Sequence, residues 1–275
     1  MANGNRTFTH PLAVQFALPR NYREDKGFED VLAGLRETGI TGVELNIADP
    51  FSLDWADLFE LLRKHDLSLF RFASGLTAKT LSLSLSAADE DVRQRSVLTC
   101  RRMVQALRGT GIGIIIGFLK GPTASDREAA RGRFARSLAE LAPDAADMKI
   151  PLVVEATNRY ESAVANSLDD AVSLLPPSPA IKGRWVQILP DTFHMNIEES
   201  DMAAPLRRHA ALYSSVHLSD NNRFFPGYGA IPFSTVIDTL NGIGWKGFFA
   251  IEGNIKEGLV ADAREAVGVL APLLS

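Results

Sequence analysis

The chain has 275 residues, 46% of them hydrophobic and 23% charged, with one cysteine. That composition is too apolar for a disordered chain and leaves no disulfide framework and no thiolate zinc site. With 29 basic and 33 acidic residues, the net charge of −4 argues against a nucleic-acid backbone as the main partner. No apolar run is long enough to span a membrane, the richest being the strand-sized Ile112–Leu119. Met1–Arg6 lacks the apolar core of a signal peptide, so a cytoplasmic protein is expected.

Short apolar runs alternate with amphipathic stretches along the whole chain. Leu12–Ala17 reads as a strand, followed by a helix with Phe28, Val31, Leu32 and Leu35 on one face, ending at Gly39. Gly42–Ile47 is the second strand, and Trp55, Leu58, Phe59, Leu61 and Leu62 mark the second helix. Leu67–Phe72 is the third strand. The alternation Leu81–Ser86 is strand-like but lies before the next helix, and it is read as part of an active-site loop over residues 75–88. That helix covers Asp89–Arg108, with Ser86 as its cap, and buries Cys100 as a small packed side chain. Ile112–Phe118 is the fourth strand, and Ser125 with Glu128 forms a capping box for a helix running past Leu141.

The second half repeats the rhythm. Strands are expected at Pro151–Glu155, Trp185–Leu189, Ser214–Leu218 and Phe248–Glu252. Helices are expected at Ser167–Leu175, stopped by Pro176-Pro177, and at Pro205–Leu212, Phe233–Leu240 and Leu259–Leu274. The total is eight strands and eight helices in strict alternation, which means parallel strands joined by helical crossovers. One α/β domain over residues 1–275, a closed (β/α)8 TIM barrel, fits this count and length; an open doubly wound sheet is the rival. No Gly-x-Gly-x-x-Gly follows the first strand, and the glycines 109, 111 and 113 precede a strand, so they form a turn and not a phosphate loop.

In such barrels function sits at the C-terminal ends of the strands. Strand five ends on Glu155, strand six runs into Asp191, strand seven carries His217, and strand eight ends on Glu252. The intervals are 191 − 155 = 36, 217 − 191 = 26 and 252 − 217 = 35 residues, one βα unit each. Four consecutive strands therefore deliver three carboxylates and one imidazole to one rim. Such groups repel one another unless a cation sits among them. Oxygen-dominated ligands with one nitrogen suit Mn²⁺, Mg²⁺ or Co²⁺. Glu44 ends strand two alone, where a rim hydrogen bond, a solvated charge or a substrate contact are all open. Asp220 reads as a loop organiser, and His10, His65 and His209 as surface or packing residues.

These residues resemble the xylose-isomerase-like barrel superfamily of sugar isomerases and epimerases, most of all the D-tagatose and D-psicose ketose 3-epimerases. The resemblance is sharpest in Glu155-Ala-Thr-Asn-Arg-Tyr-Glu161, Asp191-Thr-Phe-His-Met-Asn196, His217-Leu-Ser-Asp-Asn-Asn-Arg223 and Ile251-Glu252-Gly253. It implies Glu155, Asp191, His217 and Glu252 as ligands of one divalent ion, most simply Mn²⁺. Glu155 and Glu252 would be the pair that removes and returns a proton at C3 through a cis-enediolate. His194 and Arg223 match groups that hold the oxygen at C2, and Glu161 a carboxylate near His194 or the substrate. The implied partner is a small sugar without phosphate, although Lys120 and Arg159 leave a phosphorylated one open; the implied assembly is a homodimer or homotetramer, with no nucleic acid and no membrane. The end of strand four, Ile116–Gly121, is closer to the ketogluconate and ribulose epimerase branches, so the sugar is left open. Other expectations from the same superfamily are a hydroxypyruvate isomerase-like or inosose dehydratase-like reaction. An apurinic-site endonuclease would need more rim histidines and a basic face, and a non-catalytic sugar binder would be expected to lack one of the two glutamates.

Overall fold

A computed structural model of the chain describes residues 8–178 and 182–275; the reading of Met1–Arg6 lies outside the described residues. The strands are β1 (Leu12–Ala17), β2 (Gly42–Asn46), β3 (Ser68–Ala73), β4 (Gly113–Ile116), β5 (Leu152–Glu155), β6 (Val186–Leu189), β7 (Ser215–Leu218) and β8 (Phe248–Ile251). All ladders are parallel, in the order β6-β5-β4-β3-β2-β1-β8-β7. The two ends of that order meet at a parallel bridge between Asp191 and His217, where the His217 N–H donates to the Pro190 carbonyl at 2.9 Å. The sheet is therefore a nearly closed barrel and not an open doubly wound sheet, and two of the proposed ligands sit on its closing seam.

The described helices are α1 (Lys26–Glu37), α2 (Trp55–Lys64), α3 (Gly75–Thr80), α4 (Glu90–Ala106), α5 (Arg127–Met148), α6 (Leu168–Leu174), α7 (Thr192–Glu198), α8 (Ala203–Arg208), α9 (Phe233–Gly242) and α10 (Leu259–Leu274). The eight expected helices are all present. The extra two, α3 and α7, are 6 and 7 residues long, too short to show an apolar period. Two caps differ from expectation. Asp89 accepts from the N–H groups of Asp91 and Val92, and Asp126 from that of Ala129, so the helices start one or more residues after Ser86 and Ser125. Strand β4 stops at Ile116, because the backbone of Gly117 (φ −93°, ψ −95°) leads into a 3₁₀ turn at Phe118–Lys120. Residues Leu81–Ser86 form no strand; the N–H groups of Leu85 and Ser86 donate to the carbonyls of Leu119 and Lys120, each at 3.0 Å.

The period of two along each strand sorts the side chains. Val43, Leu45, Ile114, Ile116, Val154, Val216, Leu218 and Ile251 face the helices and join the main core, each worth roughly 1.5–3 kcal/mol of burial. Ala73, Ile115, Val153 and Leu189 form a separate cluster inside the barrel. No helix among the described residues is long and apolar enough to cross a membrane.

Candidate metal centre and active site

The same alternation that turns Val154 toward the helices turns Glu155 inward. Asp191 lies two residues beyond β6, His217 is the third residue of β7, and Glu252 follows β8. One ligand atom from each of these four residues lies within 4.8 Å of all the others. His217 Nδ1 is 3.8 Å from both Glu155 Oε1 and Asp191 Oδ2 and is hydrogen-bonded to Glu252 Oε2. Each Asp191 oxygen has its own task. Oδ1 accepts the Phe193 N–H at 2.8 Å and caps α7, which leaves Oδ2 facing the cluster.

Arg223 stands over the centre. Its Nη1 donates to Asp191 Oδ2 and its Nη2 to Glu252 Oε1, both at 2.7 Å, and its guanidinium lies 4.9 Å from the Phe193 ring centroid. Its backbone is in the left-handed region (φ 62°), held by the loop around it. The buried Asp220 staples that loop, accepting the N–H groups of Gly227, Gly229 and Ile231 at 3.1, 2.8 and 2.9 Å. This is the organising role expected of it. Gly253 permits the close approach, since a Cβ there would meet the Phe224 and Arg223 backbone at 2.8 and 2.9 Å.

His194 is buried, and its Nδ1 accepts the Asn158 N–H at 3.2 Å. A neutral ring therefore carries its proton on Nε2, which faces Glu155 Oε1 at 3.8 Å. Burial, more than any neighbouring charge, lowers its pKa and favours that neutral donor. Glu161 reaches His194 only through Asn158, whose Nδ2 donates to Glu161 Oε1 at 3.0 Å. Asn158 is thus a site residue that its polar type alone did not single out.

The two glutamates titrate in opposite directions. Burial, and then the charge of Glu252, pushes the Glu155 carboxyl up to about 8. Burial opposes ionisation of Glu252 as well, yet Arg223 and His217 hold it well below the usual carboxylate range. His217 is buried, but Glu44 and Glu252 on its two sides raise its pKa well above that of free imidazole. The donor set fits a divalent cation: three carboxylates and an imidazole converge, and Glu155 Oε1 is buried with no hydrogen-bond partner.

Above the centre opens a cavity of about 150 Å³, lined by Glu155, Glu161, His194, Arg223 and Glu252 and, from the other half of the barrel, by Gln15, Asn46 and Phe118. Asp191 and His217 lie beneath it. Gly117 also lines it, and a Cβ there would sit 2.2 Å from Glu155 Oε2. Of the expected 75–88 loop, Gly75 reaches the cavity wall, while Leu81–Ser86 packs behind the 3₁₀ turn. Lys120 is fully buried and donates to the Glu155 carbonyl and, at 2.8 Å, to Thr157 Oγ1. Arg159 is clamped to Glu198 at 2.9 Å by both Nε and Nη2. His10 packs against Trp245 and Phe249, His65 pairs with Glu29 and His209 with Asp169, all away from the site.

Fold and site together define a nearly closed (β/α)8 barrel with four residues that could hold a cation at the C-terminal ends of its strands. The sequence matches the xylose isomerase-like TIM barrel family over residues 32–273, and the chain belongs to that family. It is 33% identical over 134 residues to a D-psicose 3-epimerase of Enterocloster bolteae, spanning 49% of this chain and 44% of that protein. It is 31% identical over 222 residues to an L-ribulose 3-epimerase of Mesorhizobium japonicum, spanning 79% of this chain and 72% of that protein. A solved L-ribulose 3-epimerase superposes with a TM-score of 0.78 at 22% identity, covering 96% of this chain and 94% of its own.

Proposed function

We propose that the protein is an isomerase, a divalent-metal-dependent sugar epimerase acting at C3 of an unphosphorylated ketose. The observation that carries this reading is the pair of carboxylates, the buried Glu155 and the half-buried Glu252, which face each other across one cluster of groups able to hold a cation. Relatives named as 3-epimerases of free ketoses support it.

A C–H bond next to a ketone is weakly acidic. The ionised Glu252 takes that proton, and the C–H electron pair passes into the carbonyl to give the enediolate. Glu155, which carries a proton, returns one to the opposite face of the same carbon. The pair is left inverted, and proton exchange with water or turnover in the reverse direction restores it. The Nε2–H of His194 and the guanidinium of Arg223 hold the sugar oxygens and keep the reacting carbon between the carboxylates. A divalent ion held by Glu155, Asp191, His217 and Glu252 would supply positive charge to the adjacent oxygens where negative charge develops.

An unphosphorylated sugar is favoured by what lines the cavity. Among the described residues Arg223 is the one Lys or Arg there, and two carboxylates already engage it. Lys120 and Arg159, the two cations that left a phosphorylated sugar open, are tied elsewhere. The test is a panel of free ketoses with Mn²⁺ in D₂O, followed by NMR. Both C3 epimers with deuterium at C3 is the expected result. An aldose labelled at C2, a dehydrated product, or no exchange with any ketose overturns the reading.

A further inference from the structure

We infer that Glu44 is the positioning residue of the cation centre: its carboxylate holds His217 in the Nε2–H tautomer and so presents Nδ1 as the ligand atom. The inference rests on the metal-centre reading above. Glu44 is the third residue of β2, across the barrel from β7, and its side chain is 0% exposed. Its Oε2 lies 2.8 Å from His217 Nε2, and its Oε1 has no partner. His217 Nδ1 points the other way, into the ring of carboxylates.

That geometry excludes two of the roles open to Glu44 from the sequence. A residue with no exposed surface is not a solvated charge. It is also absent from the cavity wall, where Glu155, Glu161 and Glu252 are the acids, so it does not touch a sugar held there. A buried carboxylate is costly unless a partner compensates it, and the His217 ring is its hydrogen-bonded partner. An imidazole binds a metal through the nitrogen that lacks a proton. A carboxylate accepting Nε2–H thus does two things at once: it leaves Nδ1, which faces Glu252 in the cation-free site, as the nitrogen that gives up its proton to ligate, and it makes that nitrogen more basic. Arg71 is the register partner of Glu44 on β3, with its guanidinium fixed on the Phe70 carbonyl at 2.9 Å and Ser214 Oγ at 2.7 Å. Its charge offsets that of Glu44 through space, away from the centre itself.

The experiment measures Mn²⁺ binding to the metal-free wild type, Glu44→Gln and Glu44→Ala by the EPR signal of free Mn²⁺. It also reads the His217 Nε2–H proton shift of the Mg²⁺-loaded proteins. Glu44→Ala should bind Mn²⁺ roughly 10–100-fold more weakly, and its Nε2–H resonance should lose the downfield position that a carboxylate acceptor gives. Glu44→Gln, whose amide oxygen still accepts from Nε2–H but carries no charge, should fall between the two in affinity and in shift. An Ala variant within about twofold of wild type in affinity, or one whose Nε2–H shift is unchanged, overturns the inference. Should the Ala variant not fold, a Gln variant with wild-type affinity overturns it. A wild type that binds no Mn²⁺ overturns the metal-centre reading itself and removes this one with it.

Discussion

Glu155 and Glu252 carry the same functional group, yet their surroundings push their pKa values in opposite directions. As the proposed acid and base, each should be indispensable: Glu155→Gln or Glu252→Gln should lower turnover by about 10²–10⁴-fold, with the circular dichroism of a folded barrel. Near-normal rates in either variant would sink that pairing. Glu155 also leaves a trace in stability. Its folded pKa of about 8 lies above the ordinary carboxyl value of 4.5. Between those values the native state keeps a proton that the unfolded chain releases, so its contribution to stability is full below 4.5 and is lost as the pH rises through 8. In metal-free protein, the Tm of wild type relative to Glu155→Gln should therefore fall between about pH 5 and pH 8. A difference that is flat with pH contradicts the raised value. Gly117 adds a steric test. A methyl group there meets first the tip of the Glu155 side chain. Gly117→Ala should fold with nearly unchanged Tm and lose activity and Mn²⁺ affinity, because the carboxylate has to move.

At the scale of elements, the site hangs on short pieces that join strands to the outer helices. The βα loop after β7 supplies Arg223, and Asp220 holds that loop by its backbone N–H groups. Asp220→Ala leaves those donors without their acceptor inside the fold, at a cost of about 1–3 kcal/mol for each one that stays buried. The expected outcome is a lowered Tm together with a raised KM, as Arg223 loses its fixed position. A Tm drop with unchanged kinetics would show that Arg223 is held by its two carboxylates alone. Helix α7 is tied to the centre more directly, because the Asp191 side chain both caps it and faces the cluster.

For the whole molecule, the chemistry sits where the barrel closes. The β6–β7 seam is a bridge between Asp191 and His217, two of the four proposed ligands, and a cation bound there would pull the seam together. A metal that binds the folded but not the unfolded chain stabilises by about 2.7 kcal/mol at a concentration 100 times its Kd. Chelation with EDTA should thus lower the Tm by several degrees and abolish activity, and Mn²⁺ or Co²⁺ should restore both. Full activity in protein shown by elemental analysis to be metal-free would end the proposed mechanism. The lone Cys100 takes no part: burial pushes its thiol up to about 12, so it should resist thiol reagents in the native state.

The eight strand positions, the main helices and the candidate ligand set were legible in the sequence. Repeating βα units leave a period that survives in one dimension, and each of the four candidate ligands falls within two residues of a strand end. Helices α3 and α7 were not legible, since one or two turns carry no apolar period. Asn158 showed only as a member of the Glu155–Glu161 stretch with no role of its own, because its partner His194 lies 36 positions away. Glu44 could be placed on β2 by its sequence but not assigned, as its partner is 173 residues distant. The sequence by itself thus determined which groups point inward at the rim, because alternation along a strand is a local property of the backbone. Only the tertiary structure decided which of those groups touch, which way their pKa values shift and which are sealed from the cavity, because distance across a barrel, burial and field depend on how far-separated segments close upon one another.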